Sequence, residues 1–335
     1  MSSIDFNSET EKYFWYKSIA SYKVRHVYEV ITQKDFYNKK HYAGKDKKDA
    51  YSVNELIAEN VSNGAQFFVG RYGANELSMV IDSMDKRFRK QLLEAGMHHN
   101  ACNGSGFYPC TEEALNEFAD IMIEATGQID LLAAWNLRME EYMLKRLAPN
   151  ANVTNLKYIE PWQIYHDASN IIPWTNYLKG KKVLVVHPFV NSIKFQYENN
   201  REKIFSNLGV VEGEFLPKFE LICYKSIQSI NCVHEDRFPT WVDALKHMIK
   251  ECSQLDFDIA LVGCGAYGFP LSAELKKIGK CVIHMGGSLQ LLFGIKGVRW
   301  DSHPVISKMY NEYWIRPDEI EKAQGFENVE DGCYW

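Results

Sequence analysis

"DIALVGCGAYGFPLSAELKKIGKCVIHMG", residues 258–286, decides the fold. An apolar run of strand character ends at Gly263, a helical segment "FPLSAELKKIG" follows, and a second apolar run "KCVIHMG" begins at once. Strand, helix and strand in that order form the repeating unit of a parallel sheet covered by helices.

Outward from this stretch the alternation continues. Upstream, "VLVVHPF" (183–189) is apolar throughout, as a central parallel strand buried on both faces must be. It leads into a helix over "NSIKFQYENNREKIFSN" (191–207), a strand "FELICYKS" (219–226) and a helix "TWVDALKHMIKECSQL" (240–255). Nearer the start, "AQFFVG" (65–70) reads as a buried strand. The next segment, "ELSMVIDSMDKRFRKQLLEAG", carries Leu77, Val80, Ile81, Met84, Phe88 and Leu92 at helical spacing, closed by Gly96. Thr111 is set to cap a further helix, with Glu112 and Glu113 in its positive first turn. "IDLLAAW" (129–135) is a strand and "LRMEEYMLKRLAP" (137–149) a helix. The expected fold is α/β, a Rossmann-like, mostly parallel sheet covered by helices. "IIPWTNYLKGKK" (171–182) marks a soft division near 175. Residues 1–60 read as a helical extension, 61–305 as the α/β domain and 306–335 as a tail packed on it. There is no internal repeat and no low-complexity segment.

Composition narrows the function. The 335 residues, 46% hydrophobic and 24% charged, are long enough for a sizeable core. A net charge of −5, with no basic run beyond pieces such as "KDKK" (45–48), disfavours nucleic acid or an anionic membrane as partner. The opening "MSSIDFNSETEKYFWYKS" lacks a secretory pattern, and no apolar run approaches membrane-spanning length, so a cytoplasmic protein with no integral membrane segment is expected. Eight cysteines are scattered without metal-ligand spacing, several inside apolar runs, which predicts buried reduced thiols.

Candidate chemistry gathers at the strand-to-helix junctions, since parallel sheets bind ligands beyond the carboxyl ends of their strands. "GCGAYG" spaces Gly263, Gly265 and Gly268 as G-x-G-x-x-G, suited to a phosphate on backbone amides at a helix N-terminus. A dinucleotide site also needs an acid about 20 residues on, and "VIHMGG" offers His284 instead. Glycines serving only a tight turn are the alternative. At the next junction Gly286 and Gly287 end a strand, Ser288 is placed to cap the helix "LQLLFG", and Lys296 and Arg299 follow as cations or as solvated charges. At a third, His187 and Pro188 precede Asn191, Ser192 and Lys194. Asn191 or Ser192 is expected to cap the helix, and His187 to bind a ligand or act as acid or base. At a fourth, "VGRYGANELSMV" (69–80), Arg71 leaves the strand, Gly73 relaxes the backbone and Glu76 enters the helix. Glu76 either complements the helix dipole or, with Arg71, meets an anionic ligand. Tyr267, Trp300 and the Phe107–Tyr108 pair are candidates to stack on a base or sugar, or core residues.

"FFVGRYGANEL", "NGSGFYP", "VLVVHPFVNSIKFQY", "DIALVGCGAYGFPLSAELKKIGK" and "VIHMGGSLQLLFGIKG", in that order, resemble the GT-D fold glycosyltransferases of bacterial glycan and adhesin-glycosylation loci. The similarity runs from about Ala65 to about Trp300. It implies transfer of a sugar from a nucleotide donor, usually UDP-linked, to a glycan or glycoprotein acceptor. In that family an R-[FY]-G-D-G-E type motif binds a divalent cation through its Asp-x-Glu pair. The matching residues here are Arg71, Tyr72, Gly73, Ala74, Asn75 and Glu76, so alanine stands in place of the aspartate. Two mechanisms follow. Glu76 with Asn75 or a distant carboxylate holds Mg²⁺ or Mn²⁺ on the diphosphate. Or Arg71, Lys194, Lys296, Arg299 and the loop amides neutralise it directly, leaving Glu76 to orient or deprotonate the acceptor hydroxyl. The second is favoured. A non-catalytic nucleotide-sugar-binding protein and an NAD(P)-dependent oxidoreductase are the rival readings.

Overall fold

The computed structural model describes residues 13, 15–20, 23–24, 41–84, 104–168, 171–208, 215–230, 233–328 and 332–335. Seven strands form one sheet: β1 (Phe67–Gly70), β2 (Leu131–Ala134), β3 (Asn152–Asn155), β4 (Lys182–His187), β5 (Glu220–Lys225), β6 (Ile259–Val262) and β7 (Cys281–His284). Their order is β3-β2-β1-β7-β6-β4-β5, and every pairing is parallel. This is a Rossmann-like α/β fold, and the sheet runs unbroken across the division near residue 175. Among the described residues no helix is long and apolar enough to cross a membrane.

Alternation of side chains along each strand makes two cores. Phe68, Leu132, Leu184, Val186, Ala260, Val262 and Val282 enter one face. It is covered by α2 (Ala74–Met84), α3 (Glu112–Thr126), α7 (Trp241–Ser253) and α8 (Gly268–Lys277). Phe67, Val69, Leu131, Val183, Val185, Ile259, Leu261 and Ile283 enter the other, against α1 (Ala50–Asn63), α5 (Pro161–Asp167), α6 (Val190–Asn199) and the C-terminal segment. The short α4 (Glu140–Leu147) follows β2. Each fully buried Leu, Ile or Val contributes about 1.5–3 kcal/mol, so burial on both faces explains why the strands read as unbroken apolar runs.

Local signals set the helix ends. Thr111 accepts a hydrogen bond from the Ala114 amide, and Thr240 forms a capping box with Asp243, as helix N-termini require. Three sequence expectations are corrected. The helix from 191 to 207 stops at Asn199, where two asparagines and an arginine replace apolar spacing. Strand β3 was not foreseen: "NVTN" is a four-residue polar edge strand with only Val153 and Thr154 buried. Cys110, exposed on a loop rather than within a strand, is disulfide-bonded, whereas Cys223, Cys252, Cys264 and Cys281 are reduced. Cys102 and Cys232 lie outside the described residues, as do Phe88, Leu92, Gly96 and much of the helical extension expected before residue 41.

The connection leaving β4 runs to the sheet edge at β5, whereas the one leaving its neighbour β6 runs the other way to β7. Diverging connections open a crevice above the carboxyl ends of the two strands.

Candidate functional site

A cleft of about 190 Å³ occupies that crevice and spreads across the carboxyl ends of β1, β2, β6 and β7. Its lining includes Arg71, Gly73, Ala74, Asn75, Glu76, His187, Gly263, Gly265, Tyr267, Gly286, Gly287 and Arg299, residues drawn from all four junctions singled out in the sequence.

The β1–β7 side is charged. Gly286 has a φ of 63° and turns its Cα toward Arg71, whose guanidinium fills the space a side chain would need. Arg71 also lies over the Trp135 ring, 5.7 Å from its centroid, and reaches the Tyr72 carbonyl at 3.3 Å. No carboxylate forms an ion pair with it among the described residues. Half-buried Glu160 senses the Arg71 charge: desolvation pushes its carboxyl up to about 7, against the pull of Ser288 and Arg71. The Glu76 carboxylate folds back over Gly73, whose lack of a side chain permits it. Arg299 donates to the Tyr334 hydroxyl at 2.9 Å and stacks on that ring, which in turn covers Gly287. Beneath them His284 is buried, and burial, with the nearby Arg71 charge, depresses its pKa to about 3.

At the β4–β6 side, His187 is also buried and neutral, its pKa depressed to about 3 by desolvation. Its Nδ1 accepts from the Phe189 amide at 3.0 Å, so the ring proton sits on Nε2. A neutral Nε2–H imidazole donates a hydrogen bond and cannot accept a proton there, so the chemistry this ring offers is that of a donor rather than a base. Gly263 packs against His187 and the Gly286 carbonyl. Gly265, at φ 57°, faces open space.

Other expected site residues lie elsewhere. Asn191 and Ser192 do not cap α6 with their side chains. The buried Glu321 carboxylate from the C-terminal segment accepts from the Asn191 amide at 2.6 Å, the Ser192 amide at 3.1 Å and the Ser192 hydroxyl at 2.5 Å. An anion-binding helix end is thus already filled by the chain itself. Lys194 is exposed on α6 away from the cleft, and Lys296 lies over the Tyr310 ring. Gly268 packs against His284 at the start of α8. Ser288 donates to the Met285 carbonyl instead of capping the next helix. Tyr267 stacks on Trp241 with centroids 4.9 Å apart, leaving no open face for a base; Phe107 packs on Phe118, Tyr108 on His234, and Trp300 is buried beside Tyr334.

Sequence reasoning missed Trp135, Ser226, Tyr334 and Trp335, all in the cleft lining. Trp135 directly follows the strand "LLAA", so its place at a carboxyl end was available as a signal. Tyr334 and Trp335 lie far along the chain from any strand and gave none.

The residues present do not build the cation site of the Asp-x-Glu pattern. Ala74 brings a methyl group, and among the described residues no three His, Cys, Asp or Glu side chains gather to hold a metal ion. The chain matches no protein-family model, no curated protein and no solved structure.

Proposed function

We propose that the protein is a glycosyltransferase, of the GT-D type its motifs resemble, that moves a sugar from a nucleotide diphosphate donor to a glycan or glycoconjugate hydroxyl in the cytoplasm. The observation that carries this reading is Arg71 folded over Gly286 at the mouth of the sheet, with Arg299 on the Tyr334 ring that covers the adjoining Gly287. Two guanidiniums beside glycine-rich turns suit a diphosphate, which planar donors and close-approaching amides bind well. UDP is the donor nucleotide the resemblance favours.

In the reaction the acceptor oxygen bonds to the anomeric carbon while the bond from that carbon to the diphosphate oxygen breaks. The diphosphate leaves with the electron pair, stabilised by Arg71 and Arg299 as preorganised charges. Glu76, at the rim, orients the acceptor hydroxyl and takes its proton. His187 holds the donor through its Nε2–H.

The test is binding and cleavage across a panel of UDP-sugars, with NAD(P)H in parallel. Cleavage of a UDP-sugar supports the reading, and stabilisation by NADH but not by UDP overturns it. Alanine at position 74 favours one second reading, a nucleotide-sugar-binding protein. Tight UDP binding without transfer to any acceptor would select it.

A further inference from the structure

Charge in the cleft is partitioned. Arg71 and Glu76 stand at the β1 end and Arg299 beside the β7 turn, whereas the wall built on β4, β5 and β6 carries no charged side chain among the described residues. That uncharged wall is polar in a particular way. Ser105 and Ser226 are 7% and 4% exposed, and among the described residues neither hydroxyl has a hydrogen-bond partner. Ser226 follows β5 and its amide donates to the His187 carbonyl at 3.3 Å, which ties the two residues together at the ends of paired strands. Ser105 is held in place by its neighbour: the Ser229 hydroxyl donates to the Gly106 carbonyl at 2.5 Å. Buried hydroxyls left unpaired cost stability, and these two belong to residues that line the cleft, where a ligand would complete them. Ile227 adds an apolar side chain to the same lining. Hydroxyl and imidazole donors set around an apolar patch, without charge, match a ring with hydroxyl edges and C–H faces.

We infer that the β4–β6 half of the cleft is a subsite for a neutral polyhydroxylated ring, recognised by Ser105, Ser226 and His187, next to the cationic half that takes the diphosphate. The inference rests on the nucleotide-sugar reading above and adds the division of the ligand between the two halves. The ring is either the ribose of the nucleoside or the transferred sugar.

The experiment measures binding of inorganic pyrophosphate, UDP and UDP-glucose to the full chain and to Ser105→Ala and Ser226→Ala, with the melting temperature of each without ligand. Because the hydroxyls have no hydrogen-bond partner among the described residues, both variants should melt no lower than the parent. Pyrophosphate affinity should be unchanged, and affinity for the ring-bearing ligand should fall roughly 5- to 10-fold per hydroxyl. A loss already seen with UDP identifies the ribose; a loss confined to UDP-glucose identifies the sugar. Unchanged affinity for all three ligands in both variants overturns the subsite and leaves the nucleotide-sugar reading standing. Failure of the parent to bind UDP and UDP-glucose overturns both.

Discussion

The guanidinium of Arg71 occupies the volume above the Cα of Gly286, so the two residues are a matched pair across the β1–β7 boundary. Gly286→Ala would press a methyl group into Arg71 and hold alanine at a φ of 63°, costing about 1–2 kcal/mol. Turnover should fall on the order of 100-fold, since displacing a charge by about 1 Å is enough for that. Arg71→Ala should lose as much activity with the melting temperature nearly unchanged. Steady-state assays beside thermal melts of the two variants check this; parental activity in both would make the pair purely structural.

Glu140 gives a pH signature. Its buried carboxylate accepts from the Tyr42 hydroxyl at 2.5 Å and from the Trp135 and Leu137 amides at 3.2 Å each, fixing the turn after β2. Desolvation raises its pKa from 4.5 to about 7. The folded state therefore binds the proton more tightly than the unfolded chain. This group's contribution is present in full below pH 4.5 and is lost as pH rises through about 7, on the order of 3 kcal/mol. Glu140→Gln should flatten that part of the curve in urea denaturation between pH 5 and 8. The opposite slope comes from His187 and His284, whose depressed pKa values cost stability as pH falls from 6.5 toward 3.

Glu321 ties the C-terminal segment to α6. Glu321→Ala removes the acceptor of two amides and a hydroxyl, leaving buried donors unpaired, and should cost roughly 2–4 kcal/mol. Glu321→Gln, which keeps one carbonyl oxygen, should cost less. Denaturant midpoints rank the three proteins, and an unchanged midpoint in Glu321→Ala would show the contact to be dispensable.

Ala74→Asp places a second carboxylate two residues before Glu76, in the first turn of the same helix at the cleft rim. Added Mn²⁺ together with UDP should then raise the melting temperature of the variant by more than that of the parent. An identical response would show that position 74 faces away from the diphosphate.

Much of the fold was legible because strands buried on both faces must be apolar throughout. "VLVVH", "IALV" and "CVIH" announce themselves for that reason, whereas the edge strand "NVTN" does not. The glycine turns were legible too, since positive φ at Gly265 and Gly286, with the close approach of Arg71 at Gly286, leaves few other residues possible. What the sequence hid was long-range satisfaction. Asn191 and Ser192 look like caps until a carboxylate some 130 residues later in the chain claims their amides. Tyr267 looks like a stacking platform until Trp241 covers its face. Nothing local distinguishes such residues from ones left open to a ligand.

Strand β7 is the last strand among the described residues, yet it sits between β1 and β6 at the middle of the sheet. Until residue 284 has emerged from the ribosome, the nascent protein holds two separate three-stranded blocks, each with an unsatisfied inner edge. Those edges are apolar and ready to pair with any passing strand. Closure by a late central strand makes synthesis the protein's most exposed moment. A truncation ending at Gly279 is expected to aggregate or bind chaperones rather than accumulate as a folded fragment.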